Sequence, residues 1–189
     1  MRLVVSEFVT LDGVMEDPGG GETFDRGGWA FKFDRGPAGD KFKLDELMAA
    51  DALLLGRRTY EGFAQAWPSI PADETGFSQK MNEIPKFVVS STLEQADWNN
   101  STVVRGNVVE EVTKLKGEPG GDLLVAGSAQ LVQALAAHGL VDDLRLMVYP
   151  VLLGAGKRLF GDAEGATSFE LVESKQSADV ALLTLHFKG

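Results

Sequence analysis

Apolar positions along this chain alternate between two periods. Leu3 to Val9 is mostly apolar and predicts a short strand, which Thr10-Leu11-Asp12-Gly13 ends in a turn. Leu44, Leu47 and Met48 recur at i, i+3, i+4 and predict a helix from Asp40 to Ala50. Ala52 to Leu55 is wholly apolar, as expected of a central strand covered on both faces. A helix is expected from Thr59 to Ala66, stopped before Trp67-Pro68, and a weak one from Gly76 to Ile84. Lys86 to Ser91 and Thr102 to Arg105 read as strands. Asn107 with Glu110 three residues on is a capping-box arrangement for a helix that Gly117 stops. Asp122 to Ala126 is the next strand, and Gly127-Ser128 opens a helix through Ala137 that Gly139 closes. Leu144 to Val148 alternates, and Phe169 to Ser174 with Val180 to Phe187 read as a final antiparallel pair. Strand and helix alternate, then only strands follow. The fold class is therefore α/β, with a mainly parallel central sheet and an antiparallel C-terminal edge.

Asp17 to Gly39 does not fit either period. It holds seven glycines together with Phe24, Trp29, Phe31 and Phe33. Two readings suit it: a lid over an apolar ligand face, or a loop pinned to the core by its aromatics.

Composition narrows the function. The 189 residues are enough for one domain with a substantial core, expected to span 1–189. A net charge of −10 argues against nucleic acid or an anionic membrane as partner. The absence of cysteine removes thiolate catalysis and Cys-ligated metal, and His138 and His186 are expected to be structural, so no metal site is expected. Met1 to Val9 lacks the pattern of a signal peptide and no stretch suits a membrane span, so a cytoplasmic location is expected.

Against that acidic background, Gly56-Arg57-Arg58-Thr59-Tyr60 follows the buried strand at Leu55. The glycine allows close approach of backbone to a ligand, the guanidiniums match phosphate oxygens, and Thr59 adds a hydroxyl where free helix N–H groups favour an anion. Two further strand ends share this character: Ser90-Ser91-Thr92 after Val89, and Gly127-Ser128-Ala129-Gln130 after Ala126. Ligands of open α/β sheets bind outside the carboxyl ends of strands, so the three together predict a cradle for a phosphorylated, dinucleotide-sized ligand. Neither a P-loop nor a GxGxxG fingerprint is present, since Gly154-Ala155-Gly156-Lys157-Arg158 lacks the required spacing and hydroxyl.

These motifs resemble the dihydrofolate reductase-like fold, a three-layer α/β/α arrangement, and within it the C-terminal reductase domain of the bacterial riboflavin-biosynthesis deaminase–reductase. The likeness covers nearly the whole chain. Its marks are Thr10-Leu11-Asp12-Gly13, Leu55 to Tyr60, Val89-Ser90-Ser91, Val125 to Ser128 and, most specifically, Pro150 to Phe160. The resemblance implies an NADPH-dependent reductase of a small heterocyclic or sugar-phosphate substrate, similar to 5-amino-6-(5-phosphoribosylamino)uracil reductase. It implies that Arg57 and Arg58 meet the 2′-phosphate and pyrophosphate, with Thr59 on the pyrophosphate, and that Ser90 and Ser91 flank the 2′-phosphate or the adenine side. Gly56 would belong to the same cradle. Gly127, Ser128, Ala129 and Gln130 would receive the pyrophosphate at a helix start, and Thr10, Asp12 and Gly13 would line the nicotinamide. Asp40 stands where the spacing to Gly56 suits the substrate carboxylate of true dihydrofolate reductases, so it is the candidate catalytic acid; capping its helix is the competing role. Two other readings stay open: a true dihydrofolate reductase, and a nucleotide-binding protein without turnover. The apolar Val180 to Leu183 run, with the family's habit, implies a homodimer through the last strands and the Pro150 to Phe160 segment.

Overall fold

The computed structural model describes residues 1–161 and 166–188. Its strands are β1 (Arg2–Thr10), β2 (Ala50–Gly56), β3 (Lys86–Val89), β4 (Ser101–Val104), β5 (Asp122–Val125), β6 (Asp143–Tyr149), β7 (Phe169–Ser177) and β8 (Val180–Phe187). Its α-helices are α1 (Gly36–Ala49), α2 (Arg57–Ala66), α3 (Phe77–Glu83), α4 (Val108–Gly117) and α5 (Ala129–Ala137). The eight strands form one sheet in the order β4-β3-β2-β5-β1-β6-β8-β7. β1 to β6 run parallel, while β8 is antiparallel to β6 and β7 antiparallel to β8. The expected mainly parallel sheet with an antiparallel C-terminal edge is present.

Helices cover both faces. On one, Val112 of α4 and Ala129, Leu131, Val132 and Leu135 of α5 pack on Leu3, Val5, Leu54, Leu123 and Val125. On the other, Leu47 of α1, Tyr60 of α2 and Met81 of α3 pack on Val4, Leu53, Leu55 and Val88. The strands β2 and β5 are buried nearly throughout, which explains their uninterrupted apolar runs. Asn107 caps α4 as its sequence predicts, its side chain accepting the Val109 and Glu110 N–H groups and donating to Glu110.

Helix α1 departs from expectation. It starts at Gly36, about one turn before Asp40, with Pro37 in its first turn. The start is held by Asp34, which accepts the Gly36 N–H at 2.7 Å, and by Ser177, which accepts the Gly39 N–H at 2.9 Å and donates to the Arg35 carbonyl at 2.6 Å. Ser177 comes from the far end of the chain, so local pattern did not reveal its part in fixing this start. Asp40 is therefore not the cap; it lies within α1.

The Asp17 to Gly39 stretch is pinned rather than free. Trp29 is fully buried, edge-on to Tyr149 at 5.2 Å between ring centroids, and donates from Nε1 to the Glu16 carbonyl at 2.9 Å. Phe33 packs on the same tyrosine, and only Phe31, 83 % exposed, has the freedom a lid aromatic would need.

The C-terminal strands also correct the sequence reading. Val180 and Leu182 are buried by the chain's own Trp29, Met147 and Tyr149, and β8 lies inside the sheet. The edge is β7, which is exposed along most of its length.

Candidate functional site

Because β1, β2, β3 and β5 are parallel, their carboxyl ends fall on one rim of the sheet. Thr10, Gly56, Ser90 and Gly127 stand at or just beyond those ends, so the topology gathers the expected strand-end motifs on that rim. β5 sits between β2 and β1, which places the Gly127 turn beside the Gly56 turn.

The two turns touch. The Gly56 N–H donates to the Gly127 carbonyl at 3.3 Å. A Cβ on Gly56 would lie 2.5 Å from Ser128 Oγ, and one on Gly127 would lie 2.4 Å from Thr59 Oγ1. Gly127 also has φ +75°, the left-handed region that only glycine enters readily. The Gly127–Ser128 peptide is cis. Both positions thus require glycine, one for space and the other for space and conformation.

From this junction two helices depart. The N-terminus of α2 follows Gly56 and that of α5 follows Ser128. Neither start is capped by a side chain, and neither first turn carries an acid. Their N–H groups and the positive ends of their dipoles therefore point to the same rim without an internal partner from a cap. Arg57 is half-buried and pairs with Glu61 one turn on, Nη1 to Oε1 at 2.9 Å. Arg58 is exposed and close enough to Glu16 to help hold that carboxyl below its ordinary value, behind the larger effect of Lys157.

The remaining expected residues have more local duties. Ser90 Oγ accepts the Thr92 and Leu93 N–H groups at 3.2 and 2.9 Å, making a tight turn, while Ser91 is exposed beside it. Thr10 Oγ1 donates to Asp12 at 2.6 Å and accepts the Val14 N–H at 2.9 Å. Asp12 accepts the Gly154 and Leu153 N–H groups at 2.7 and 3.2 Å. The Thr10 hydroxyl, then these backbone bonds, lower its carboxyl to about 2, so Asp12 is a carboxylate at neutral pH and cannot deliver a proton. Its role is to tie the turn after β1 to the Pro150 to Phe160 segment. Gly13 accepts the Leu159 N–H at 2.9 Å in the same clasp, and Met15 donates to Lys157. Gln130 is exposed on the first turn of α5, and Ala129 is buried beneath it.

Asp40 is exposed and paired with Arg35 Nε at 2.6 Å. The buried acids of the site are others, and the sequence reading missed both. Glu46 of α1 is 1 % exposed, accepts from Ser6 Oγ at 2.6 Å and pairs with Lys43, whose ammonium also donates to Ser6 and stands 5.1 Å above the Phe8 ring. Glu7, on the opposite face of β1, accepts the Gly127 N–H at 2.5 Å. Burial pushes its carboxyl up to about 8 against the smaller favourable effect of that hydrogen bond. An acidic residue interrupting an apolar strand run was the available signal for Glu7, but only the tertiary structure shows what it faces. Nearby, burial raises Tyr149 to about 12, leaving a protonated phenol among Phe8, Trp29 and Phe33.

The chain is similar to known proteins over its whole length. It shares 31 % identity with the uncharacterized protein YyaP of Bacillus subtilis (strain 168), covering 100 % of this chain and 96 % of that one. It shares 27 % with the uncharacterized protein YwjB of the same organism, over 89 % and 87 %. Among solved structures, the putative riboflavin biosynthesis protein from Shewanella sp. PV-4 superposes with a TM-score of 0.78 at 22 % identity, covering both chains fully. The dihydrofolate reductase from Enterococcus faecalis, complexed with NADP(H) and RAB-propyl, superposes with a TM-score of 0.58 at 17 % identity, over 100 % of this chain and 97 % of that one. RibD from Acinetobacter baumannii superposes at 0.62 and 16 % identity, with this chain spanning 58 % of it. The fold is thus dihydrofolate reductase-like. The model of the RibD C-terminal domain matches residues 2–183, and the chain belongs to that riboflavin-biosynthesis reductase-like family.

Proposed function

We propose that the protein is an NADPH-dependent reductase of a small heterocyclic or sugar-phosphate substrate. The observation that carries this reading is the junction of the Gly56 and Gly127 turns, where two helix starts without side-chain caps meet beside Arg57 and Arg58. The Gly56 and Gly127 N–H groups are engaged within the protein, so the donors offered to a diphosphate would be those of the first turns of α2 and α5, and the arginines would add the cations an adenosine 2′-phosphate needs. Thr59 and Ser128 contribute hydroxyls at the same junction. Bound along this rim, the nicotinamide would supply a hydride to the substrate. Thr10 to Val14 would form the shelf on which it lies, held by the clasp to Leu153, Gly154 and Leu159. The substrate would occupy the α1 side of β1, where Phe8 and Lys43 offer an aromatic ring and a cation, backed by the buried Tyr149. The exposed, paired state of Asp40 favours the riboflavin-type reductase over a true dihydrofolate reductase.

Fluorescence titration tests the cofactor. NADPH is expected to bind more tightly than NADH. Arg57→Ala is expected to weaken NADPH binding by about 1.5–3 kcal/mol, the range for a hydrogen bond to a charged group, and NADH binding much less. Equal losses for both would show that Arg57 does not read the 2′-phosphate.

The same reading includes a C2 homodimer. β7 ends the sheet, and Leu171 and Val172 on it are 56 % and 62 % exposed. A long edge strand with exposed apolar residues calls for a partner, and an isologous contact between two copies would shield both edges. Light scattering over a dilution series is expected to give twice the chain mass of 20.3 kDa. A value near 20.3 kDa at tens of micromolar would overturn the dimer.

A further inference from the structure

Glu7 has no place in the chemistry described so far, yet it sits directly behind the cradle. It is 9 % exposed, within a parallel sheet, and its strand neighbours on the same face, Val5 and Val9, belong to the apolar core with Met15, Val125, Ala129 and Leu159. Its Oε1 accepts the N–H of Gly127, the residue whose turn packs on Thr59. Its Oε2 has no hydrogen-bond partner among the described residues. Among the described residues the fully buried side-chain polar atoms without a partner are Asp17 Oδ2, Glu46 Oε2 and Ser101 Oγ, not this oxygen, so the cost at Glu7 is that of a carboxyl with one protein hydrogen bond on an otherwise apolar strand face.

The surroundings offer little compensation for a negative charge. Opposite Glu7 on β6 stands Leu146. From β5 and α5 it meets the Gly127 N–H and no basic side chain in the first helical turn. From α1, across the sheet, Lys43 favours the charge and Glu46 opposes it. Lys43 is itself engaged by Glu46 and Ser6. Burial therefore dominates and holds the proton on Glu7 up to about pH 8.

Resting on the reading of this rim as a dinucleotide cradle, we propose that Glu7 is a proton-linked positioning residue of that cradle: its neutral carboxyl anchors the Gly127 turn in the form that accepts the dinucleotide phosphates, and loss of its proton expels them. The physical reason is competition. A carboxylate behind Gly127 and a pyrophosphate in front of it would place like charges on one short turn, competing for the same few backbone dipoles. A neutral carboxyl still accepts the Gly127 N–H, so it keeps the turn in place without repelling the ligand. Binding and protonation then assist one another.

The test compares wild type with Glu7→Gln, which keeps the shape and the acceptor but cannot ionise. NADPH is titrated by fluorescence from pH 7 to 9.5, where its 2′-phosphate, with a second pKa of about 6, is fully charged. Lys86, which burial lowers to about 8, titrates in the same window in both proteins, so the ratio of their affinities isolates Glu7. That ratio is expected to be near one at pH 7 and to fall by up to about tenfold for each unit of pH above 8, as the wild type alone loses affinity. Parallel profiles overturn the proposal, as does a Glu7→Gln protein that cannot bind NADPH at pH 7 while wild type does.

A second measurement needs no cofactor. Unfolded, Glu7 ionises near its ordinary 4.5; folded, it holds its proton up to about 8. Between those values the folded state binds a proton that the unfolded state releases, so stability present at low pH is lost as pH rises through the window. The melting temperature of wild type relative to Glu7→Gln is expected to fall between pH 5 and pH 8.5. An unchanged difference overturns the proton-holding role. A falling difference without NADPH binding by either protein overturns the cradle reading, and with it the link to phosphate.

Discussion

Gly127→Ala is expected to abolish measurable NADPH binding and to destabilise the fold. The new Cβ would stand 2.4 Å from Thr59 Oγ1 and 3.3 Å from Thr59 Cβ, so rotating the hydroxyl away is not enough. The residue would also be held at φ +75°, which costs roughly 1–2 kcal/mol for a residue with a Cβ. Overpacking adds about 1–3 kcal/mol, so chemical denaturation should report a loss of roughly 2–5 kcal/mol. Relief of the clash requires the Gly56 and Gly127 turns to separate, and the two helix starts then no longer converge. Losing two charge-assisted hydrogen bonds at about 1.5–3 kcal/mol each corresponds to roughly two to four orders of magnitude in NADPH affinity. Gly139→Ala is the matched control: it shares a positive φ, +65°, but its Cβ meets nothing within 4 Å. It should lose stability while binding NADPH as wild type does. If Gly127→Ala binds as tightly as that control, the junction is not the phosphate site.

Trp29→Ala is expected to cost about 3–5 kcal/mol of stability, the range for removing a buried aromatic side chain. Trp29 is fully buried against Tyr149, and its loss leaves both a void and the Glu16 carbonyl without its indole donor. For a domain stable by about 5–15 kcal/mol this is a large fraction. The loss should also spread locally. Gly28 donates to the Asp17 carbonyl and Ala30 to that of Pro18, so freeing Trp29 frees the Asp17 to Phe33 loop and the segment following β1. Hydrogen exchange should show protection falling in that loop before it falls in β2 or β5. Trp29→Phe, which keeps most of the ring packing, should lose less. A fully protected loop in Trp29→Ala would show that the smaller contacts of the glycine-rich turns hold it without the indole.

Most of the helices and strands were legible because their signals are local. The cap at Asn107, the stop at Gly139 and the apolar run before Gly56 each depend on neighbours within a few residues, and each is found where its pattern predicts. The strand-end motifs were legible for the same reason, since a glycine and a hydroxyl after an apolar run mark a turn that can meet a ligand. The start of α1 was misread because Ser177 and Asp179, which hold it, are remote in sequence. Asp40 was chosen by its spacing to Gly56, and spacing along a helix does not say which face is buried. The structure turns it to solvent beside Arg35 and buries Glu46 instead. The apolar Val180 to Leu183 run suggests a surface that needs a partner copy; the aromatics that cover Val180 and Leu182, Trp29 and Tyr149, come from other parts of this chain.

By itself the sequence determined the period of each element, the α/β class and the glycine- and hydroxyl-rich chemistry of three strand ends, because side-chain sterics and hydrogen-bonding chemistry act over a few residues. Only the tertiary structure decided which of those ends meet. β5 is inserted between β2 and β1, so strands far apart in the chain become neighbours. That insertion brings Gly127 against Thr59 and places Glu7 behind it. The energy of such contacts is collected only after long loops have closed, and no local pattern records which closure the core will favour.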